Sequence, residues 1–310
     1  AASAHPAESQ AAFASVVKRH IPTIRPVVEL HVAPHGNDAN AGTLRQPLAS
    51  WNGALAALRR LKAQGGVGKG SVAVTFHGGT YRLDDTVHIT SAESGSAGFP
   101  VVFRAAAGET PMFTGGVRLL PPTPVADAET LTRLPADVRE KVRQIDVKAL
   151  GLSSGTLETR GVGPQPKPSP ALYWNGRPLT LARYPNAGWE LTGRVAEERN
   201  GHGGFTFEYR GNRPEKWTNE PNGWLFGYFG WLWADCGVKI ASIDSARHQL
   251  ATVHPSAYGA REGMPWFAYN VLAELDEPGE WYLDSEHGRI IVYPPSPAEN
   301  AVIEYPLLEK

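Results

Sequence analysis

Apolar and polar residues alternate from Val28 to Val32 (Val-Glu-Leu-His-Val), the period-two pattern of a strand with one buried face. Turn formers follow from Pro34 to Gly42, with Asn37, Asp38 and Asn40 among them. From Trp51 to Lys62 the period changes. Leu55, Leu58 and Leu61, with Ala54 and Ala57, recur at helical spacing, Ser50 stands where an N-cap is needed, and Gly65-Gly66 ends the element. Short β-branched or aromatic runs resume at Val72–Phe76, Asp85–Thr90, Pro100–Arg104 and near Met112-Phe113, with glycine pairs at Gly78-Gly79 and Gly115-Gly116. Strands at a spacing of about 12 residues with glycine corners fit the first turns of a coiled parallel solenoid. The helix then serves as the cap that such a stack requires over its unpaired strand edges.

Beyond residue 120 the texture shifts twice. Residues 121–170 are Pro-rich and partly charged, ending in Gly161-Val-Gly-Pro-Gln-Pro-Lys-Pro-Ser-Pro170, and read as an extended connector. Hairpin-like alternation follows at 171–174 before the Asn175-Gly176 turn, at 205–209, 224–233, 238–243, 280–283 and 289–293. The predicted class is all-β. A tail (1–27) precedes β-helix opening coils with one capping helix (28–120), the connector (121–170), an antiparallel, sandwich-like aromatic-rich domain (171–300), and a short lead-in (301–310).

Composition agrees with many short strands joined by tight turns: 33 Gly, 26 Pro, nine Trp and ten Tyr in 310 residues. Thirty basic and thirty-one acidic residues leave a formal charge of −1, so no electrostatic footprint points to nucleic acid or an anionic membrane surface. No apolar run reaches the length of about 18 residues that a membrane helix needs. The lone Cys236 has no intramolecular disulfide partner and reads as a small buried hydrophobe. The chain opens Ala-Ala-Ser-Ala-His without an initiator Met or leader, which fits a mature secreted or periplasmic protein, and equally a trimmed start.

Candidate chemistry centres on aromatics and carboxylates. In Trp224-Leu-Phe-Gly-Tyr-Phe-Gly-Trp-Leu-Trp233, strand alternation places Trp224, Phe226 and Tyr228 on one face and, if Gly230 keeps the register, Trp231 and Trp233 on the other. Flat aromatic faces suit the C–H faces of pyranoses, so Trp224, Tyr228, Trp231 and Trp233 are candidate sugar contacts; the same density also suits a sandwich core. Asp235, set among Trp231, Trp233 and Lys239, is a candidate acid if buried, or a hydrogen-bond anchor at a strand exit. Asp284, with Asp235, is a candidate catalytic carboxylate, but it stands before Ser285-Glu-His-Gly288 and reads equally as a hairpin corner, and Asp276-Glu-Pro-Gly279 reads as a β-turn. His31 and His35 are spaced as on a metal-binding helix, but Pro34 excludes that helix, and no other histidine pair, His202 among them, gives zinc spacing. Asn37, Asp38 and Asn40 hold oxygen ligands suited to calcium, yet read first as turn formers. Gly66–Ser71 lacks the spacing of a phosphate loop. Neither a metal nor a cofactor is predicted.

Several stretches resemble one family, the bacterial right-handed parallel β-helix glycoside hydrolases that include α-L-fucosidase and xylanase activities. They are Val32-Ala-Pro-His-Gly-Asn-Asp-Ala-Asn-Ala-Gly-Thr-Leu-Arg-Gln-Pro47, which looks like the start of pectate-lyase-like solenoids, Gly78–Leu83, Pro100–Glu109, Thr114–Val117, Tyr173–Asn186, Gly230–Asp235 with Ile243-Asp244, Leu275–Asp284 and Val292–Pro295. Their order covers the chain from about residue 30 onward. The resemblance implies a secreted polysaccharide-directed protein with a β-domain inserted after its first coils. It places the catalytic carboxylate pair in a main β-helix that a segment like Val302–Glu309 leads into, so the pair is expected outside this chain, in a further segment or a second chain. A carbohydrate-binding or assembly module without catalysis is the alternative. A lyase or epimerase acting on uronic-acid polymers is a further one and wants a basic cleft, for which Arg177, Arg183, Arg210 and Arg213 are available.

Overall fold

A computed structural model of the chain describes residues 24–67, 69–162, 167–198, 203–217 and 220–308. Most of the predicted tail, residues 1–23, lies outside them, as do His202 and the last two residues of the lead-in. The architecture is mostly β, with two α-helices and two short 3-10 turns among the described residues. The chain divides into two compact units, one ending at Thr114 and one starting at Gly115.

In the first unit, β1 (Val28–Val32), β2 (Val72–Phe76) and β4 (Val101–Ala105) form a parallel sheet in register, with Val28, Val72 and Val101 aligned. β3 (Gly79–Arg82) and β5 (Pro111–Thr114) form a second parallel pair. Alternation assigns the faces. Leu30, Val32, Val72, Val74 and Phe76 pack with Ala54, Leu55, Ala57 and Leu58 of helix α1 (Trp51–Ala63). Ser50 caps α1, its Oγ accepting from Gly53 N at 3.0 Å, and Asp38 accepts in turn from Ala49 N, Ser50 N and Ser50 Oγ. Asp38 is therefore the clamp of the helix start. A side chain at position 53 has no room, because its Cβ would lie 2.0 Å from Asp38 Oδ1.

The polar face of the same sheet carries ladders across the strands. Glu29 accepts from Thr75 and Arg104, each at 2.6 Å, and His77 lies between His31 (3.1 Å) and Glu109 (3.0 Å). The segment Asp85–Thr90, expected as a strand, is not one. Side chains claim its backbone: Asp85 accepts from Thr86 N, and Glu93 accepts from both the N–H and hydroxyl of Thr90. The strand lies earlier, at β3, where a turn was expected.

The second unit holds three sheets. Four strands run β11 (Arg177–Pro178), β10 (Tyr173–Trp174), β23 (Ile303–Pro306) and β6 (Gly116–Arg118). Five run β12 (Thr180–Leu181), β21 (Glu280–Asp284), β22 (Arg289–Val292), β8 (Arg143–Asp146) and β7 (Thr123–Pro124). The largest runs β13 (Arg183–Tyr184), β20 (Pro265–Tyr269), β17 (Trp224–Gly227), β18 (Cys236–Asp244), β19 (Gln249–Thr252), β16 (Phe205–Glu208) and β15 (Val195–Glu198). β14 (Glu190–Leu191) and β9 (Arg160–Gly161) pair at its side. Pairing is antiparallel apart from β12 with β21. Asn175 and Gly176 make the predicted turn, both with positive φ.

The stretch read as a connector is instead part of this unit: it supplies β7, helix α2 (Ala128–Arg133), β8 and β9. Val138, Val142, Ile145 and Val147 are buried within it. Its prolines masked an apolar set too sparse to show a period.

Candidate functional site

The largest sheet has two unlike faces. One buries Phe205, Phe207, Leu225, Val238, Leu250, Trp266 and Ala268 in the core. The other, set by alternation along β17 and β20, presents Phe226, Phe267 and Tyr269, all half-buried, with Tyr228 just past the end of β17. Phe226 and Phe267 lie 5.3 Å apart, and Trp189 reaches over both, 5.2 Å from Phe267 and 5.7 Å from Tyr228. Arg183 rests on the Phe267 ring at 3.9 Å and donates to Pro185 O and Gly188 O, which fixes the loop that carries Trp189. Trp224, a predicted sugar contact, shares this face beside Tyr269 (6.3 Å) but is buried.

Trp231 and Trp233 do not continue the strand. β17 ends at Gly227, Phe229 turns into the core, and Gly230 packs so closely on Tyr258 that a Cβ would lie 2.4 Å from its carbonyl oxygen. The chain therefore turns, and residues 231–233 project as an exposed tip. Trp231 is 44% exposed, Trp233 63% and Tyr258 43%. Arg261 lies over the Trp231 ring at 3.7 Å, and Tyr258 meets Trp233 edge to face at 4.8 Å. Both indoles are thus held in place while much of each stays exposed. Trp189, Tyr258, Arg261 and Phe267 escaped the sequence reading; the alternation of Pro265–Tyr269 would have placed Phe267 opposite the core residue Trp266.

The carboxylates behave differently from one another. Asp235, considered as an acid if buried, is exposed at the base of the aromatic tip, and no protein group pairs with its side chain among the described residues. Asp284 is buried at the end of β21. Burial alone would raise its pKa, but Arg289 (2.8 Å) and His287 (3.0 Å) hold it below the ordinary aspartate range. Asp235 stands just before β18 and Asp284 ends β21, and no hydrogen bond joins the two carboxylates among the described residues. Glu280, at the start of β21, is 5% exposed and accepts from the backbone N–H of Arg183, Asp276 and Glu277. Burial outweighs those donors and pushes its pKa to about 7. Asp38 and Asn37 spend their side-chain oxygens on backbone and Ser50 donors, as turn formers do.

No family model matches the chain, and no curated protein matches it significantly. A solved structure named "Glycoside hydrolase" matches with a TM-score of 0.68 and 19% identity, over 90% of this chain and 46% of that one. A second, of XylC in complex with xylose, covers 90% of this chain and 31% of that one at 12% identity and a TM-score of 0.36, too loose to argue from. The chain thus spans about half the length of the first protein and shares that part of its fold.

Proposed function

We propose that this chain is a carbohydrate-directed protein of a bacterial cell, secreted or periplasmic, and that it forms the front part of a parallel β-helix glycoside hydrolase. The observation that carries the reading is the tip at 231–233. Two indoles and a phenol are held open to solvent by Arg261 and by each other, with the unpaired Asp235 carboxylate beside them as an acceptor for sugar hydroxyls. The rings around Trp189 form a second aromatic surface on the largest sheet. The in-register parallel strands of the first unit support the β-helix reading, since β4 and β5 each pair on one side only among the described strands. The likeness in fold to a protein named glycoside hydrolase is consistent with it.

Hydrolysis requires two carboxyl groups spaced about 5–10 Å across the bond. Asp284 is buried and committed to Arg289 and His287, and no hydrogen bond joins it to Asp235 among the described residues, which favours sugar binding over catalysis within these residues. Affinity electrophoresis against a panel of plant and microbial polysaccharides tests the binding reading. At least one polymer should retard the chain, and Trp231→Ala with Trp233→Ala should abolish the retardation while leaving the melting temperature within a few degrees. Equal retardation of the double variant would refute the assignment of the tip.

A further inference from the structure

A cavity of about 550 Å³ in the second unit shares no lining residue with the aromatic tip. Arg133 comes to it from the end of α2, Asp137 from the turn after, Arg213 and Lys216 from a 3-10 turn (Arg213–Trp217), Glu220 from the chain beyond, and Asp276 from the turn before β21. No aromatic ring lines it. Its volume is that of a small-molecule site.

The hydrogen-bond inventory decides what it would hold. Two of its carboxylates are already committed. Glu220, almost wholly buried, accepts from Arg133 Nη2 at 3.1 Å and from Leu272 N at 3.0 Å. Asp276 accepts from Arg213 Nη2 at 2.8 Å and from Asn186 at 2.9 Å. Arg213 is fixed further by the buried Glu274, which grips Nε and Nη2 and also accepts from Trp217. Arg133 is fixed by Tyr282 as well, at 3.2 Å.

What remains is mostly donors. Among the described residues, Nη1 of Arg133 and Nη1 of Arg213 have no acceptor, and Lys216 pairs with no carboxylate. Asp137 is an exposed acceptor with no partner among the described residues. Two guanidiniums held rigid by buried carboxylates behind them, with a free ammonium beside them, are prepared for an oxyanion.

We infer that this cavity binds the oxyanion of an acidic sugar, the carboxylate of a uronate residue or a sugar sulfate, as a site separate from the aromatic tip. The inference rests on the carbohydrate reading for the sugar part of the ligand. It also gathers into one place the basic groups that a uronate polymer requires, with Arg213 joined by Arg133 and Lys216 rather than by Arg177, Arg183 or Arg210.

The test is ligand-observed NMR and calorimetry on the full chain with digalacturonate, its dimethyl ester, galactose 6-sulfate, galactose and inorganic sulfate. Digalacturonate or galactose 6-sulfate should bind at least tenfold more tightly than the ester, galactose or inorganic sulfate, and the tighter of the two identifies the oxyanion. Lys216→Glu reverses an exposed, unpaired charge without uncovering a buried carboxylate, so the fold should persist and affinity should fall at least tenfold. Trp233→Ala should leave this binding unchanged, and Lys216→Glu should leave retardation by a neutral polysaccharide unchanged, so the two sites fail separately. Equal binding of the ester and the acid, or an unaltered affinity in a folded Lys216→Glu variant, would overturn the inference.

Discussion

Glu280 makes the stability of the second unit depend on pH in a defined direction. Its carboxyl titrates near 7 in the folded chain because burial penalises the charge more than three backbone N–H groups favour it, whereas an unburied glutamate titrates near 4.5. The folded value is the higher one, so the folded state binds the proton more tightly. The resulting stability is complete below pH 4.5, declines between 4.5 and about 7, and is gone above. At about 1.4 kcal/mol per pH unit that interval corresponds to about 3 kcal/mol.

Glu280→Gln removes the titration while keeping one acceptor oxygen. Guanidinium melts of both proteins at half-unit steps from pH 4 to 8 give two stability curves, and their difference cancels every other titrating group. The difference should change by about 3 kcal/mol across the window, with wild type losing ground as pH rises. Parallel curves, within about 0.5 kcal/mol throughout, would refute the claim that burial dominates at this carboxyl.

Three other outcomes follow from packing and burial. Asp38→Ala removes three hydrogen bonds at the start of α1 and should cost about 1–2 kcal/mol by chemical denaturation. Gly53→Ala should be severe alone, since its Cβ meets Asp38 Oδ1, and milder in the Asp38→Ala background; strict additivity in that cycle would refute the clamp. Cys236 is buried in β18, and burial, with the Asp235 charge adding to it, pushes its thiol up to about 11. A thiol reagent at pH 8 should leave it unmodified until the protein is unfolded in guanidinium, and stoichiometric labelling of the folded chain would contradict that burial.

Elements with a clear period were legible in the sequence. The alternation of 28–32, the leucine spacing from 51 to 62 and the Asn175-Gly176 turn all appear where their local pattern put them. Asp85–Thr90 failed because its strand propensity lost to the side chains of Asp85 and Glu93, which no pairwise alternation records. The 121–170 stretch failed because its strands are only two to four residues long and leave no period to read. At the site, the residue types in 224–233 were informative, but their division was not. Whether a tryptophan became core (Trp224) or tip (Trp231 and Trp233) was decided at Gly230, whose close approach to Tyr258 is a contact between residues far apart in sequence. The cavity was invisible for the same reason: Arg133, Arg213 and Asp276 are brought together from a helix end and two separate turns.

The pairing of β6 with β23 sets Gly116 opposite Pro306, and Gly115 O accepts from the N–H of both Leu307 and Leu308. The two ends of the second unit are therefore neighbours, about one strand spacing apart, near 5 Å. The same geometry lets a short linker close 115 to 308 while new ends open at an exposed turn, a circular permutation that keeps every strand pairing of the unit intact.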